Sequence, residues 1–257
     1  MSDQKVVLVE STDGVALVTL NRPESRNAMS SALKQALWDT MLEVEADDSI
    51  AAVILTGADP AFCAGLDLKE LSGGGAAEAQ LLDPTPPWRQ LTKPVIGAIN
   101  GVAITGGFEL ALNCDFLVAS ERARFADTHT RVGVLPGWGL SVLLPQRVGF
   151  AMARRLSFTG NFLDAQQALQ AGLVTEIVSH HDLLPRCQEL AAAVVSNNQP
   201  AVKALLASYR KIEAAAAGDG RAIEAETHRE WMRDGGTRGM SDRVAGVFRR
   251  GRSQLSS

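Results

Sequence analysis

One stretch limits what this chain can fold into: Gly101-Val102-Ala103-Ile104-Thr105-Gly106-Gly107-Phe108-Glu109-Leu110. An unbroken apolar run, residues 95–99, enters it, and an apolar helical run, residues 108–113, leaves it. A short continuous apolar run of this kind reads as a strand buried on both faces. A strand, a glycine-rich turn and a helix start together present free N–H groups and the positive end of a helix dipole. Glu109 falls in the first turn of that helix, where the dipole favours negative charge. N–H donors and a base therefore lie within a few residues of each other. That pairing suits a reaction in which an oxyanion develops while a proton moves. The same pattern also serves as a plain tight connection with a dipole partner, so it needs support from the rest of the chain.

The flanking sequence reads as α/β. Residues 5–10 and 15–20 are β-rich, and Asp13-Gly14 between them signals a hairpin. A polar loop, Asn21 to Asn27, precedes a helix over residues 32–47 that Ser30 or Ser31 can cap, with Leu33, Ala36, Leu37, Met41 and Val44 at helical spacing. Residues 52–55 form the next buried strand, and residues 56–71 a second Gly-containing turn entering a short helix. The Gly- and Pro-rich segment 73–87 predicts a cover over a pocket. Residues 115–119 read as a strand, residues 123–139 as largely irregular, and Pro145 as a divider of the helical stretch after them. Asp164 is the predicted N-cap of a helix that ends at Gly172. From residue 181 onward the pattern is helical and rich in Ala and Leu. This divides the chain into an α/β core, residues 1–180, and a helical region, residues 181–257.

The chain has 257 residues and a net charge of −4, which argues against a nucleic-acid partner. Cys63, Cys114 and Cys187 are far apart and odd in number, with neither a disulfide framework nor a zinc spacing. The four histidines form no metal-ligand pattern either, so no metal is expected. No apolar run has the length of a membrane span, and residues 1–15 lack a basic-then-apolar leader. A soluble cytoplasmic protein is the expectation.

Five segments in this order and spacing resemble the crotonase, or enoyl-CoA hydratase/isomerase, superfamily. They are Asn21-Arg22-Pro23 with Asn27-Ala28-Met29; residues 61–71, AFCAGLDLKEL; residues 93–115, from Lys93-Pro94 through Glu109-Leu110 to Cys114-Asp115; residues 133–139; and Thr159-Gly160 through Ala165, Ala168 and Gly172-Leu173-Val174. The resemblance implies a spiral of ββα units with a C-terminal helical trimerisation region, and a homotrimer or a dimer of trimers. It implies an acyl-CoA thioester substrate, so that CoA arrives as part of the substrate and no cofactor is permanently bound. It also implies an oxyanion hole of two backbone N–H groups, which fall here at Leu66 and Gly106. Carried over by motif position, Ser25, Arg26, Ala28, Ala64, Asp67 and Leu68 contact the CoA moiety. The basic cluster Arg249, Arg250 and Arg252 reads as a charged tail.

The resemblance also implies two catalytic glutamates. The first matches Glu109. The position of the second, twenty residues later, holds His129, with Asp127 two residues before it. Histidine titrates near neutral pH and can accept or donate the proton that hydration moves. The expected activity is therefore enoyl-CoA hydration with Glu109 and His129 as the catalytic pair. Another reaction of the superfamily on an acyl-CoA (isomerisation, decarboxylation, hydrolysis or dehalogenation) and non-catalytic acyl-CoA binding remain the alternatives. Trp138 either narrows the acyl pocket or packs a loop. His180, His181 and His228 read as surface helix residues.

Overall fold

A computed structural model describes residues 5–73, 83–86, 88 and 91–255. Two sheets carry the architecture. The first has six strands, β1 (Val7–Thr12), β2 (Val15–Leu20), β3 (Ala52–Gly57), β5 (Val95–Ile99), β7 (Phe116–Ser120) and β10 (Glu176–Val178), in that spatial order. The second has β4 (Ala61–Cys63), β6 (Val102–Ile104), β8 (Arg124–Ala126) and β9 (Leu163–Asp164). The β1–β2 and β8–β9 pairs are antiparallel, and every other pairing is parallel. The chain places one strand in the first sheet and the next in the second, then makes a helix, and repeats. β3–β4 leads to α2 (Leu68–Gly73), β5–β6 to α3 (Gly106–Leu112), and β7–β8 to α4 (His129–Val132). This is the ββα spiral.

Alternation within β3 shows why its apolar run is unbroken. Val53 and Leu55 join the main core with Leu33, Leu37 and Met41 of α1 (Ser31–Ala46). Ala52 and Ile54 face the other way, against Leu183, Cys187 and Ala191 of α7 (Leu183–Val195). Successive strand residues point to opposite faces, so a strand covered on both faces needs apolar residues throughout. The helix α7 thus packs on the central sheet. The β1–β2 turn uses Asp13 at φ 49° and Gly14 at φ 80°, the left-handed pair that a two-residue hairpin loop requires.

Two expectations need correction and one needs detail. Residues 123–139 are largely irregular, as expected, with β8 and α4 as short regular pieces inside them. A strand, β4, precedes the short helix of the 56–71 segment. Pro145 does not divide the long helix α5 (Leu140–Thr159); the break is at Gly149, at φ 73° and ψ 158°. Leu140, Leu143 and Leu144 bury this first part of the helix in the main core, and the turn stays helical despite the missing Pro145 N–H donor. Most of the expected cover, segment 73–87, lies outside the described residues. After α6 (Ala165–Gln170) and α7 the chain runs through α8 (Gln199–Ala217), α9 (Gly220–Arg233) and α10 (Met240–Leu255).

Candidate active site

A cavity of about 610 Å³ opens between the loop after β2, the β4–α2 turn and α10. Ser25, Arg26, Ala28, Ala64, Leu66, Asp67 and Leu68 all line it, although they come from two segments well separated along the chain. Backbone bonds hold those segments together. Ala64 N–H donates to Arg26 O (3.0 Å), Met29 N–H to Gly65 O (2.7 Å) and Asp67 N–H to Met29 O (2.9 Å). Asn27, fully buried at φ 54°, fixes the loop from inside. Its Nδ2 donates to Ala58 O and Ala61 O, both at 2.7 Å, and its Oδ1 accepts from Arg22 N–H at 2.9 Å. Asp67 lines the cavity, yet its carboxylate is taken up by Arg22 at 3.0 Å and by the Lys69 N–H at 3.1 Å. Arg26, Lys69, Arg131 and Arg252 supply positive charge to the lining, while Leu66, Ile104, Val132 and Val134 make other parts of it apolar.

Leu66 and Thr105 also line this cavity, and Gly106 follows Thr105 as the first residue of α3. Thr105 sits at φ 55° and ψ −114°, a conformation that costs a residue with a Cβ about 1–3 kcal/mol. It is held by its N–H donating to Ala126 O (2.9 Å) and by a 2.5 Å contact between its hydroxyl and that of Thr128. The kink starts α3 abruptly. Among the described residues neither the Leu66 nor the Gly106 N–H has an acceptor. Gly107 brings α3 against β4, since a Cβ there would collide with the Cys63 carbonyl.

Glu109 and His129 lie behind this point, and neither lines the large cavity. Glu109 is 3% exposed and His129 2%. Glu109 Oε1 accepts from the backbone N–H of Trp138 at 2.8 Å and of Leu140 at 3.4 Å. Its Oε2 stands 3.4 Å from His129 Nε2. The other imidazole nitrogen, Nδ1, is 2.6 Å from Asp127 Oδ1, which also accepts the His129 N–H at 3.1 Å. Burial by itself would lower the imidazole pKa. The Asp127 charge and hydrogen bond, joined by Glu109, outweigh burial and push it up to about 10. Burial likewise opposes ionisation of Asp127, but His129 and the Ser157 hydroxyl hold its carboxyl below the usual range. At neutral pH the cluster therefore contains an imidazolium between two carboxyl groups.

Trp138 ties the cluster to Gly106. Its N–H holds Glu109, and its indole edge lies against Gly106, where an added Cβ would be 3.2 Å from Cζ3 and 3.5 Å from Leu66 Cδ2. Its Nε1 donates to Asp83 O at 3.1 Å, and the Lys34 ammonium sits 5.0 Å from the ring centre. Burial lowers the Lys34 pKa, with Asp83 and Glu109 opposing the shift.

The loop carrying Trp138 is fixed by the C-terminal helices. Glu224 of α9 accepts from Gly139 N–H (2.7 Å) and Ser141 N–H (2.6 Å). His228 Nδ1 lies 3.0 Å from Leu135 O, and Trp231 Nε1 donates to Gly133 O at 2.9 Å. Arg243 Nε donates to Val132 O at 2.9 Å. His228 is therefore buried, contrary to its reading as a surface residue. His180 is largely covered too, with Nδ1 3.1 Å from Ser120 Oγ and Nε2 3.0 Å from Asp59 Oδ2. Burial raises the Glu224 pKa, as does the nearby Glu109 charge, and the Ser141 and Gly139 hydrogen bonds offset part of this. Nothing in the local sequence announces Glu224, because its partners lie 83 and 85 positions away. Among the described residues no group of three or more His, Cys, Asp or Glu side chains is arranged to hold a metal.

The ββα spiral, with backbone N–H groups at a helix start left unpaired among the described residues, beside a buried carboxyl–imidazole cluster, is that of an enzyme of the crotonase fold. The chain belongs to the enoyl-CoA hydratase/isomerase family, whose model matches residues 10–241. A probable peroxisomal enoyl-CoA hydratase of Arabidopsis thaliana is 39% identical over 201 residues, covering 77% of this chain and 76% of that protein. A short-chain-enoyl-CoA hydratase of Clostridium acetobutylicum is 38% identical over 203 residues, covering 77% and 78%. The crystal structure of an enoyl-CoA hydratase from Mycobacterium smegmatis superposes with a TM-score of 0.83 at 55% identity, covering 90% of this chain and 99% of that one.

Proposed function

We propose that this protein adds water across the double bond of a 2-enoyl-CoA. The observation that carries the reading is the Glu109 carboxyl, anchored through one oxygen and facing a charged imidazole 3.4 Å away with the other. The Leu66 and Gly106 N–H groups hold the thioester carbonyl oxygen as it gains charge, and one such donor is commonly worth about 3 kcal/mol. Water attacks the β-carbon and gives its proton to Glu109. The double-bond electrons move to the α-carbon and the thioester oxygen, and His129 supplies the proton that closes the α-carbon. Transfer of the captured proton from Glu109 Oε2 to His129 Nε2 restores the starting state. Loss of the enoyl absorbance of crotonyl-CoA and longer enoyl-CoAs tests this; a folded protein that consumes none of them overturns it.

One observation supports a second reading, double-bond isomerisation. A water bonded to both groups would separate them by about 4–5 Å, and here they stand at 3.4 Å. Two groups in direct contact are arranged to relay one proton, and a 3-enoyl-CoA assay with product mass analysis separates the two reactions.

Ser25, Arg26, Ala28, Ala64, Asp67 and Leu68 are the proposed CoA contacts, by their place in the cavity. The proposed assembly is a homotrimer or a dimer of trimers. Exposed Phe150, Phe158, Leu205, Tyr209 and Ile212 support it, because apolar side chains of this size favour a covered face. Light scattering at the mass of one 27.3 kDa chain would refute it. Three buried free thiols, Cys63, Cys114 and Cys187, fit a reducing compartment such as the cytoplasm. No helix of the described residues is long and apolar enough to cross a membrane. CoA enters with the substrate, and the mechanism calls on no resident cofactor.

A further inference from the structure

We infer that Asp127 is a positioning residue, which fixes the tautomer and charge of His129 so that a single proton is stored between His129 Nε2 and Glu109 Oε2. This rests on the acid–base reading of Glu109 and His129 and adds a third member that acts through the imidazole.

The geometry fixes the roles. Asp127 Oδ1 accepts twice from His129, from Nδ1–H at 2.6 Å and from the backbone N–H at 3.1 Å. An ionised carboxylate is an acceptor only, so the Nδ1 proton stays on the ring. Nε2 is then the nitrogen whose proton can leave, and it faces Glu109 Oε2 at 3.4 Å. All three side chains are 1–3% exposed, so bulk water does not compete for that proton. Asp127 follows β8 directly and His129 begins α4, so the two-residue step from strand to helix is what aims one at the other.

The charged groups that face the pair come from several elements. Asp127 and Glu109 touch the imidazole directly, while Lys34 of α1 and Glu224 of α9 lie within electrostatic reach of Glu109. The Ser157 hydroxyl of α5 bonds Asp127. Two carboxyl groups against one imidazolium keep the proton in place well above neutral pH, in the direction of the raised histidine pKa. The protonated ring persists up to about pH 10, so the proton-donating form is lost only in the alkaline range.

The test is Asp127→Asn, followed by kcat and KM from about pH 6 to about pH 11 on the best enoyl-CoA substrate and by NMR titration of isotopically labelled histidine. The His129 signal is assigned by its loss in His129→Gln. In the unaltered protein the His129 ring titrates near the alkaline end. In Asp127→Asn the ring pKa and the alkaline limb of kcat both move down by more than one pH unit. At neutral pH kcat falls on the order of 100-fold while KM stays within about threefold, as expected when a proton-transfer group is mis-set. The conservative variant Asp127→Glu restores part of both. Two results overturn the inference: a His129 ring that titrates at the same pH with and without the Asp127 charge, or an Asp127→Asn enzyme with an unmoved pH profile. If Asp127→Asn does not fold, Asp127→Ser, which also removes the charge, is read by the same titration, and an unmoved ring pKa there overturns it. Failure of the hydratase reading is a separate outcome: the NMR titration reads the Asp127–His129 link whether or not the protein turns over enoyl-CoA.

Discussion

Two neighbouring spaces in this molecule are built on opposite terms. The channel of about 610 Å³ is open, lined by a mixture of backbone, small side chains and basic residues. The carboxyl–imidazole cluster behind it is sealed, with Asp127, His129 and Glu109 all nearly inaccessible. Arg26, Lys69 and Arg252 in the channel are exposed, so each contributes little and is screened by salt. Charges in the cluster are held by backbone donors and by one another, and there a single atom alters the chemistry. Leu66, Gly106 and Trp138 form the boundary, where the indole and the leucine side chain meet over the glycine.

Three substitutions would break or sharpen that contrast. Glu109→Gln keeps the shape of the cluster and removes the base. Turnover is expected to fall on the order of 10³-fold with KM nearly unchanged, and a KM effect that matches the kcat effect would place Glu109 in binding instead. At the boundary, Trp138→Leu retains the backbone N–H that holds Glu109 while opening the space over Gly106. The ratio of kcat/KM for a ten-carbon enoyl-CoA to that for crotonyl-CoA should rise roughly tenfold, the effect of relieving a steric limit of a methylene or two. An unchanged ratio would mean that the indole only packs the loop. In the channel, Arg26→Ala should raise KM by about threefold at low salt and less at high salt, with kcat intact. A kcat loss there would show that the channel and the cluster are not separable.

The parts of this fold that were legible in the sequence are those encoded within a few residues. Asp13-Gly14 specifies the hairpin, and Ser30 caps α1 by accepting from Leu33 N–H. Asp164 and Gln167 form a reciprocal capping box. The long apolar runs of β3 and β5 are strands because both faces are covered. What could not be read has its cause elsewhere in the chain. The strands β4 and β8 are three residues long, too short for any periodicity, and exist because β6 lies between them. The expectation of a surface histidine at position 228 fails for a related reason. His228 lies on a polar helix, and only the fold brings Leu135 onto it.

The site divides in the same way. Glu109, Gly106 and the β4–α2 residues stand in motifs with a local mechanical reason. Asp127 was visible as a neighbour of His129, but its pairing depends on the turn from β8 into α4. Trp138 N–H and Glu224 came only from the structure, since neither bond follows from spacing.

The reach of Glu224 back to Gly139 and Ser141 also sets an order of events in the life of the molecule. A chain emerging from the ribosome can pair β1 through β8 and place Glu109 at the head of its helix long before residue 224 exists. The loop that grips the Glu109 carboxyl is tied early to Asp83 and Asn113, but its two bonds to Glu224 form only when α9 arrives. A nascent or truncated chain could therefore own every motif of the site and still hold its carboxyl loosely. The set of bonds that holds this loop is complete only when the final helices have folded back.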